Sequence, residues 1–151
     1  MLQIWLTRFA RLNTVALEDR SAALGLTGSE VAVLGALDRE GPVLSPTRLQ
    51  GVVIQSPGGL TKTLRRLEDG GLVRRRADAD DRRALLVELT AKGRRAAGRA
   101  SAVISEHYDA LLEGIDRAEA TETVRALLDR LEPMTGMPSS ARVGRAARSA
   151  R

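Results

Sequence analysis

The chain has 151 residues, a length that suits one domain with a sizeable hydrophobic core. It contains no cysteine and one histidine, which excludes disulfides, thiolate metal sites and cysteine-based redox switching. We therefore expect no metal ion and no cofactor. Aromatic residues make up 2% of the sequence, so Leu, Val, Ile and Ala must form the core, and this composition favours helices packed on helices.

The net charge of +5 is distributed unevenly along the chain. Residues 1–59 are neutral overall, whereas residues 60–99 carry twelve Lys or Arg and six acids, a net charge of +6. Residues 100–132 carry three Arg and eight acids (−5), and residues 133–151 carry four Arg and no acid (+4). A basic middle followed by an acidic segment suits a protein with one edge that faces nucleic acid.

The first two predicted elements are helices. Helical spacing of apolar residues predicts an amphipathic helix over residues 2 to about 23. Thr27 and Glu30 then form a capping-box pattern, in which each side chain accepts a hydrogen bond from a free backbone N–H at a helix start. A second helix is predicted from 28 to about 39, and its inward-facing residues are expected to be Val31, Leu34 and Leu37.

The pair Ser-Pro occurs twice, at residues 45–46 and 56–57. Ser is a favourable N-cap, and Pro suits the first helical position, where its missing N–H costs nothing. We expect one short helix from 46 to about 52 and another from 57 to about 69, ended by Gly70 and Gly71. The composition of residues 72–77 and 84–89 then predicts the two strands of a β-hairpin.

Two longer helices follow the hairpin. Thr90 can cap a helix from 91 to about 113, which Gly114 interrupts. Asp116 and Glu119 form a second capping-box pattern, opening a helix that Pro133 is expected to end. We expect residues 133–151 to be a disordered basic tail. The predicted architecture is mainly α with a small β-hairpin (α+β), one domain over residues 1–132.

The helix predicted over 57–69 has one apolar side. At about 100° per residue, Leu60, Leu64 and Leu67 fall in one narrow stripe, which must be the buried side. The other sides carry polar and basic residues that can reach base edges and phosphates in a major groove. A merely solvated face is the alternative, but a helix-turn-helix followed by a two-stranded wing is typical of DNA-binding proteins. The expected contacts are Ser56, Gly58, Thr61, Lys62, Arg65 and Arg66.

Four runs of sequence follow one another between residues 26 and 93: LTGSEVAVLGAL, LSPTRLQGVV, SPGGLTKTLRRLEDGGLVRR and DADDRRALLVELTAKG. Together they resemble the MarR family of winged helix-turn-helix regulators. The resemblance implies a winged-helix core over about 27–90, flanked by dimerisation helices over about 2–23 and 91–132. It also implies that Arg83 reaches from the wing into the minor groove and is oriented by Asp81, with Arg82 as a further DNA contact. Gln50 stands where the family usually has Ala.

The resemblance extends to a dimer and an effector. Family members dimerise through their first and last helices, and the apolar stripes of residues 2–15 and 103–131 need burial in any case. Packing within one chain is the alternative. Many family members bind small anionic or phenolic ligands between the dimer helices and the winged domain. The candidate lining residues are Trp5, Phe9, His107 and Tyr108, for each of which core packing is the alternative.

These patterns predict a sequence-specific transcription regulator, expected to be a repressor. It would bind a pseudo-palindromic operator in double-stranded DNA as a homodimer and be released by a small molecule. The alternative is a winged-helix module for protein–protein interaction, which tends to place apolar anchors on the face where this chain has Lys62, Arg65 and Arg66. An enzyme is not expected, because the sequence offers no nucleophile with a base, no metal cluster and no phosphate-binding loop. With no run of about 20 apolar residues, a soluble, cytoplasmic protein without membrane contact is expected.

Overall fold

The computed structural model describes residues 1–78 and 85–135, which form six helices and three short strands. The helices are α1 (Leu2–Ala22), α2 (Gly28–Glu40), α3 (Pro46–Val52), α4 (Pro57–Asp69), α5 (Ala91–Leu111) and α6 (Arg117–Thr135). The strands are β1 (Val43–Leu44), β2 (Val73–Ala77) and β3 (Leu85–Leu89). The predicted fold class, mainly helical with a small antiparallel sheet, is confirmed.

Four of these helices begin where the capping patterns predict. Thr27 and Glu30 form the reciprocal box: the Thr27 hydroxyl accepts from the Glu30 N–H at 3.3 Å, and the Glu30 carboxylate accepts from the Thr27 N–H at 2.7 Å. Ser45, Ser56 and Thr90 each accept one backbone N–H from the turn that follows. These side chains satisfy donors that a helix leaves free, so each start is fixed by a local signal.

The sheet has the strand order β1-β3-β2, with both pairings antiparallel. β2 and β3 form the predicted hairpin, whose register places Arg75 opposite Val87. The sequence does not predict β1, which pairs with the other edge of β3 and places Val43 opposite Glu88. This pairing ties the segment before α3 to the hairpin, so the sheet joins the helix-turn-helix to its wing.

The core lies around α2, which contacts α1, α3, α4 and α5. The predicted inward residues Val31, Leu34 and Leu37 are at most 2% exposed. Where α5 starts, a Cβ at Gly93 would lie 1.8 Å from the carbonyl oxygen of Leu72. Only glycine fits there, so α5 and the beginning of the wing meet backbone against backbone.

The turn between the last two helices forms at the predicted place, and Asp116 of the predicted capping box caps the helix that follows. Gly114 has a φ of +74°, in the left-handed region that favours glycine. The carboxylate of Asp116 then accepts from the N–H groups of Ala118 and Glu119 at 2.8 and 3.1 Å, so it caps α6. This local chemistry separates α5 from α6 at the expected place.

The prediction that Pro133 ends the last helix is wrong. α6 continues through Pro133 to Thr135, past the expected boundary at 132. Proline lacks its own N–H and its ring presses on the carbonyl one turn back, but the residues that follow keep their N–H groups. They can extend the helix at the cost of a local distortion. The rest of the predicted basic tail lies outside the described residues.

The terminal helices leave apolar side chains uncovered. Trp5 and Phe9 on α1 are 59% and 52% exposed, and no described side chain of α6 is buried. The exposed large apolar residues of α6 are Val124, Leu127, Leu128, Leu131 and Met134. One chain therefore does not bury the faces that the sequence predicts to need burial. Nor does any helix of residues 1–78 and 85–135 have the length and hydropathy to cross a bilayer.

Candidate nucleic-acid interface

α4 keeps its apolar and basic side chains on separate sides. Leu60, Leu64 and Leu67 are 3%, 4% and 1% exposed and belong to the core. Lys62 and Arg65 are exposed on the opposite side. The predicted buried and outward faces of this helix are thus confirmed. A helix with an outward row of donors has the form that a major groove about 12 Å wide can accept.

The first turn of α4 presents little side chain to solvent. Ser56 accepts from the Gly59 N–H at 3.1 Å, and the Thr61 hydroxyl donates to the Pro57 carbonyl at 2.9 Å. Gly58 is exposed, and a Cβ built on it would meet no heavy atom within 4 Å. Nothing in the described chain requires glycine here, although glycine lowers helix stability. The bare turn allows another molecule to approach the backbone of α4 closely.

The basic residues of α4 differ in whether they have an acidic partner. Arg66 Nε lies 3.1 Å from Glu30 Oε1, in an ion pair with α2. Lys62 and Arg65 form no ion pair with any residue of 1–78 or 85–135. These two side chains are the cations of α4 that remain available to phosphates and base edges.

The arginines of β2 are paired with nearby acids. Arg74 Nε donates to Glu88 Oε2 at 2.9 Å across the hairpin, and Arg76 Nε lies 4.0 Å from the same oxygen. Arg75 Nε lies 3.2 Å from Glu68 Oε2 on α4. The hydrogen bond from Arg74 holds the pKa of Glu88 below its ordinary value, so this carboxylate stays ionised at neutral pH. Together with Arg66, four of the basic residues counted between 60 and 99 therefore have acidic partners.

The predicted wing contacts Asp81, Arg82 and Arg83 lie outside the described residues. The described strands run up to Ala77 and resume at Leu85. The base of the wing is therefore established, whereas the roles of these three residues stay predictions.

The chain is similar to known winged-helix proteins in both sequence and fold. The model of the MarR family matches residues 24–84. The crystal structure of the transcriptional regulator BldR from Sulfolobus solfataricus has 27% sequence identity and a TM-score of 0.74, covering 85% of this chain and 93% of that chain. The chain is a MarR-type winged-helix protein.

Two further structures share this MarR-type fold at lower identity. One is a mutant MarR from E. coli complexed with operator DNA, with 24% identity and a TM-score of 0.70 over 86% of this chain and 92% of that chain. The other is Bordetella bronchiseptica BpsR, whose DNA binding is regulated by 6-hydroxynicotinic acid. It has 22% identity and a TM-score of 0.71 over 84% of this chain and 90% of that chain. The predicted resemblance to the MarR family is confirmed.

Two of the four predicted effector residues of this MarR-type protein join α1 to α5. His107 is 6% exposed and its Nε2 lies 2.7 Å from Asn13 Oδ1, while the Asn13 amide donates to the Tyr108 hydroxyl at 3.3 Å. Burial lowers the pKa of His107, and the positive charge of Arg20 lowers it further. The ring is therefore neutral at pH 7, and its Nε2–H can donate to Asn13.

The other two, Trp5 and Phe9, precede Asn13 on α1 by two turns and one turn, and their side chains are exposed. Helical spacing of four residues places all three on one side of α1. The structure thus joins His107 and Tyr108 to Asn13, whereas Trp5 and Phe9, on the same side of α1, are not covered by the described residues. The effector site itself stays a prediction.

Sequence reasoning missed a set of polar contacts beneath α4. Gln50, Gln55 and Thr63 form hydrogen bonds among α2, α3 and α4. The available signal was Thr63, which lies next to the Leu60/Leu64/Leu67 stripe and is 6% exposed. A buried hydroxyl needs a hydrogen-bond partner, so a threonine at such a position indicates a polar contact across the helix interface.

Proposed function

We propose that this MarR-type protein binds double-stranded DNA as a homodimer and regulates transcription, with α4 in the major groove. The observation that carries the proposal is the outward face of α4, where Lys62 and Arg65 are exposed and form no ion pair with the described residues. A bare first turn at Gly58 precedes them. Guanidinium and ammonium groups on a recognition helix can bind the acceptors of guanine and the phosphates on either side.

The homodimer is supported by the uncovered apolar faces of α1 and α6. Leu2, Leu6, Phe9 and Leu12 on α1 are each at least 47% exposed. Apolar faces of this extent mark interaction surfaces in soluble proteins. A two-fold dimer would present its α4 helices roughly 34 Å apart, which suits two half-sites of a pseudo-palindromic operator.

A winged-helix module for protein–protein interaction is the competing function. Such a module would need buried aromatic or aliphatic anchors at the centre of its contact face. The outward face of α4 has Gly58, Thr61, Lys62 and Arg65 instead, and all four are exposed. This composition favours a polyanion as the partner.

The direct test is selection of bound duplexes from a random DNA pool by the full-length chain. We expect enrichment of a pseudo-palindrome with half-sites about one helical turn apart. The enriched sequence is called the operator below. If the recovered pool stays random at about 0.15 M salt, the chain has only sequence-independent phosphate attraction and the proposed function is wrong.

We extend the proposal to the wing and to an effector. Arg83, oriented by Asp81 and aided by Arg82, would contact the minor groove beside each half-site, where the negative potential attracts arginine. A small anionic or phenolic molecule would bind among Trp5, Phe9, His107 and Tyr108 and release a repressed operator. The support is the joint of α1 and α5 at Asn13 and the regulation of BpsR by a small aromatic acid.

Gly58→Ala tests whether DNA approaches the backbone of α4. The added methyl group meets nothing within the chain, so we expect stability unchanged or raised by up to about 1 kcal/mol. Operator affinity should fall at least about tenfold, because the methyl group occupies the space that DNA needs. Thermal unfolding and fluorescence anisotropy measure the two effects separately.

Gly98→Ala is the matched control for this variant. Gly98 lies within α5, is exposed, and its added Cβ would also meet no atom within 4 Å. It should gain similar stability and retain the parent's operator affinity. Equal operator affinities for the two variants would show that DNA does not come close to α4 at Gly58.

A further inference from the structure

The turn between α3 and α4 is held by a polar cluster centred on Gln55. Its Nε2 donates to the carbonyl oxygen of Ser29 at 3.1 Å, in the first turn of α2. Its Oε1 accepts from the hydroxyl of Thr63 at 2.9 Å, on α4. Its backbone carbonyl accepts from Nε2 of Gln50 at 2.6 Å, on α3. One residue therefore connects α2, α3 and α4.

The hydroxyl of Thr63 is the buried end of this cluster. It lies 2.9 Å from Gln55 Oε1 and 3.0 Å from the carbonyl oxygen of Gly59, so both acceptors share its single hydrogen. Gly59 belongs to the first turn of α4, so the cluster reaches the part of the helix that precedes Lys62. Movement of α4 away from Gln55 would break this hydrogen bond and deprive the part-buried Gln55 Oε1 of the Thr63 donor, which is unfavourable.

A second link joins the same turn of α2 to α4 one turn further along. Glu30, next to Ser29, has a side chain that is 7% exposed. Its Oε2 accepts from the Thr27 backbone, and its Oε1 pairs with Arg66 Nε at 3.1 Å. Separating Arg66 from Glu30 would leave a buried carboxylate without its cation, which is strongly unfavourable. Thr63 and Arg66 are three residues apart, so the two links are one turn apart on α4.

We propose that Gln55 and the Glu30–Arg66 pair are positioning residues that set the orientation of α4, and that Arg66 acts through Glu30 rather than on DNA. Two links one turn apart fix both the location of the helix and its rotation about its own axis. Hydrogen bonds to base edges need this accuracy, whereas attraction to phosphates does not. The inference rests on the proposed DNA-binding function and gives Arg66 a different role from the contact predicted from the sequence.

Glu30→Gln in the full-length chain separates positioning from direct contact. Glutamine can still accept the capping hydrogen bond from Thr27, but it cannot neutralise Arg66. If Arg66 touches DNA, the freed cation and the gain of one positive charge should strengthen binding to the operator and to unrelated DNA alike. Positioning predicts that operator affinity falls at least about tenfold, while affinity for an unrelated duplex stays equal or rises. An operator affinity equal to or above that of the parent would overturn the inference.

Thr63→Val and Thr63→Ser form a matched pair for the Gln55 cluster. Valine keeps the volume of threonine and removes the hydroxyl, whereas serine keeps the hydroxyl. We expect operator affinity to fall in Thr63→Val and to stay near the parent's in Thr63→Ser. Each variant is measured at a temperature where circular dichroism shows it fully folded, so a loss of stability alone cannot lower affinity.

Hydrogen exchange of the α4 amides in the DNA-free protein provides a readout that does not depend on DNA binding. We expect faster exchange at Leu60 and Thr61 in Glu30→Gln and Thr63→Val, and parent-like exchange in Thr63→Ser. Faster exchange together with a random pool in the selection experiment would refute DNA recognition while supporting the links. Unchanged exchange in both Glu30→Gln and Thr63→Val, with unchanged operator affinity, would refute the positioning role.

Discussion

Replacing Lys62 and Arg65 together with alanine is expected to lower operator affinity at least about 100-fold, while the dimer and its helicity persist. Both side chains are exposed and have no acidic partner within residues 1–78 and 85–135, so their removal leaves the core and the ion pairs of those residues intact. A good base contact contributes about 1–3 kcal/mol of discrimination, so losing two such contacts accounts for a drop of this size. Each lost phosphate contact should also reduce the slope of log affinity against log salt by about 0.9.

Fluorescence anisotropy at several salt concentrations measures both quantities, and a second double variant provides the control. The double variant Arg95→Ala, Arg99→Ala also removes two positive charges, but from exposed positions on α5. It should weaken operator and unrelated duplexes by the same modest factor. If the two double variants lose operator affinity equally, net charge alone explains binding and α4 does not recognise sequence.

The helix starts were predictable because their signals are short. A capping side chain bonds to a backbone N–H two or three residues away, so Thr27, Ser45, Ser56 and Thr90 mark helix starts whatever the rest of the chain does. The buried side of α4 followed from its own leucine spacing. These features need no knowledge of which elements later come together.

The contacts beneath α4 could not be predicted, because their partners are far apart in sequence. Gln55 meets a carbonyl 26 residues earlier, and β1 is two residues long with a partner strand more than 40 residues away. No local sequence pattern specifies such pairs. The Gln55 hydrogen bond and the β1–β3 pairing exist only once α2, α4 and the sheet have packed together. Pro133 is a case in which a local signal was misleading. Proline usually ends a helix, but in α6 the residues after Pro133 still continue it to Thr135.

Charge counting identified the basic segment but not the cations that are available in it. The net charge of +6 over residues 60–99 includes Arg66, Arg74 and Arg75, each of which lies beside a carboxylate in the folded chain. In the part of the chain that the structure describes, Lys62 and Arg65 are the cations of α4 without an acidic partner. Which cations can bind DNA therefore depends on how the chain packs, and substitution of these two residues tests it directly.

Leu131→Glu is expected to raise the dissociation constant of the homodimer at least about 100-fold and to abolish operator binding at nanomolar protein concentrations. Leu131 is 53% exposed in the single chain, so the substitution costs the isolated chain little. In a two-fold dimer the new carboxylate is buried twice, and each unpaired buried charge costs several kcal/mol. Sedimentation velocity at micromolar concentrations measures the change in mass.

Ala126→Glu makes this experiment specific to one face of α6. It adds the same charge to the same helix, but at about 100° per residue Ala126 lies on the side away from Val124, Leu127, Leu128 and Leu131. Both positions are exposed in one chain, so only a partner on the apolar side can make the two variants differ. A dimeric Ala126→Glu beside a monomeric Leu131→Glu would place the interface on that side. Identical masses for the two variants would refute an interface on that side. If both variants, and the parent chain, were monomeric, α4 would also lack the two-fold partner that a pseudo-palindromic operator requires.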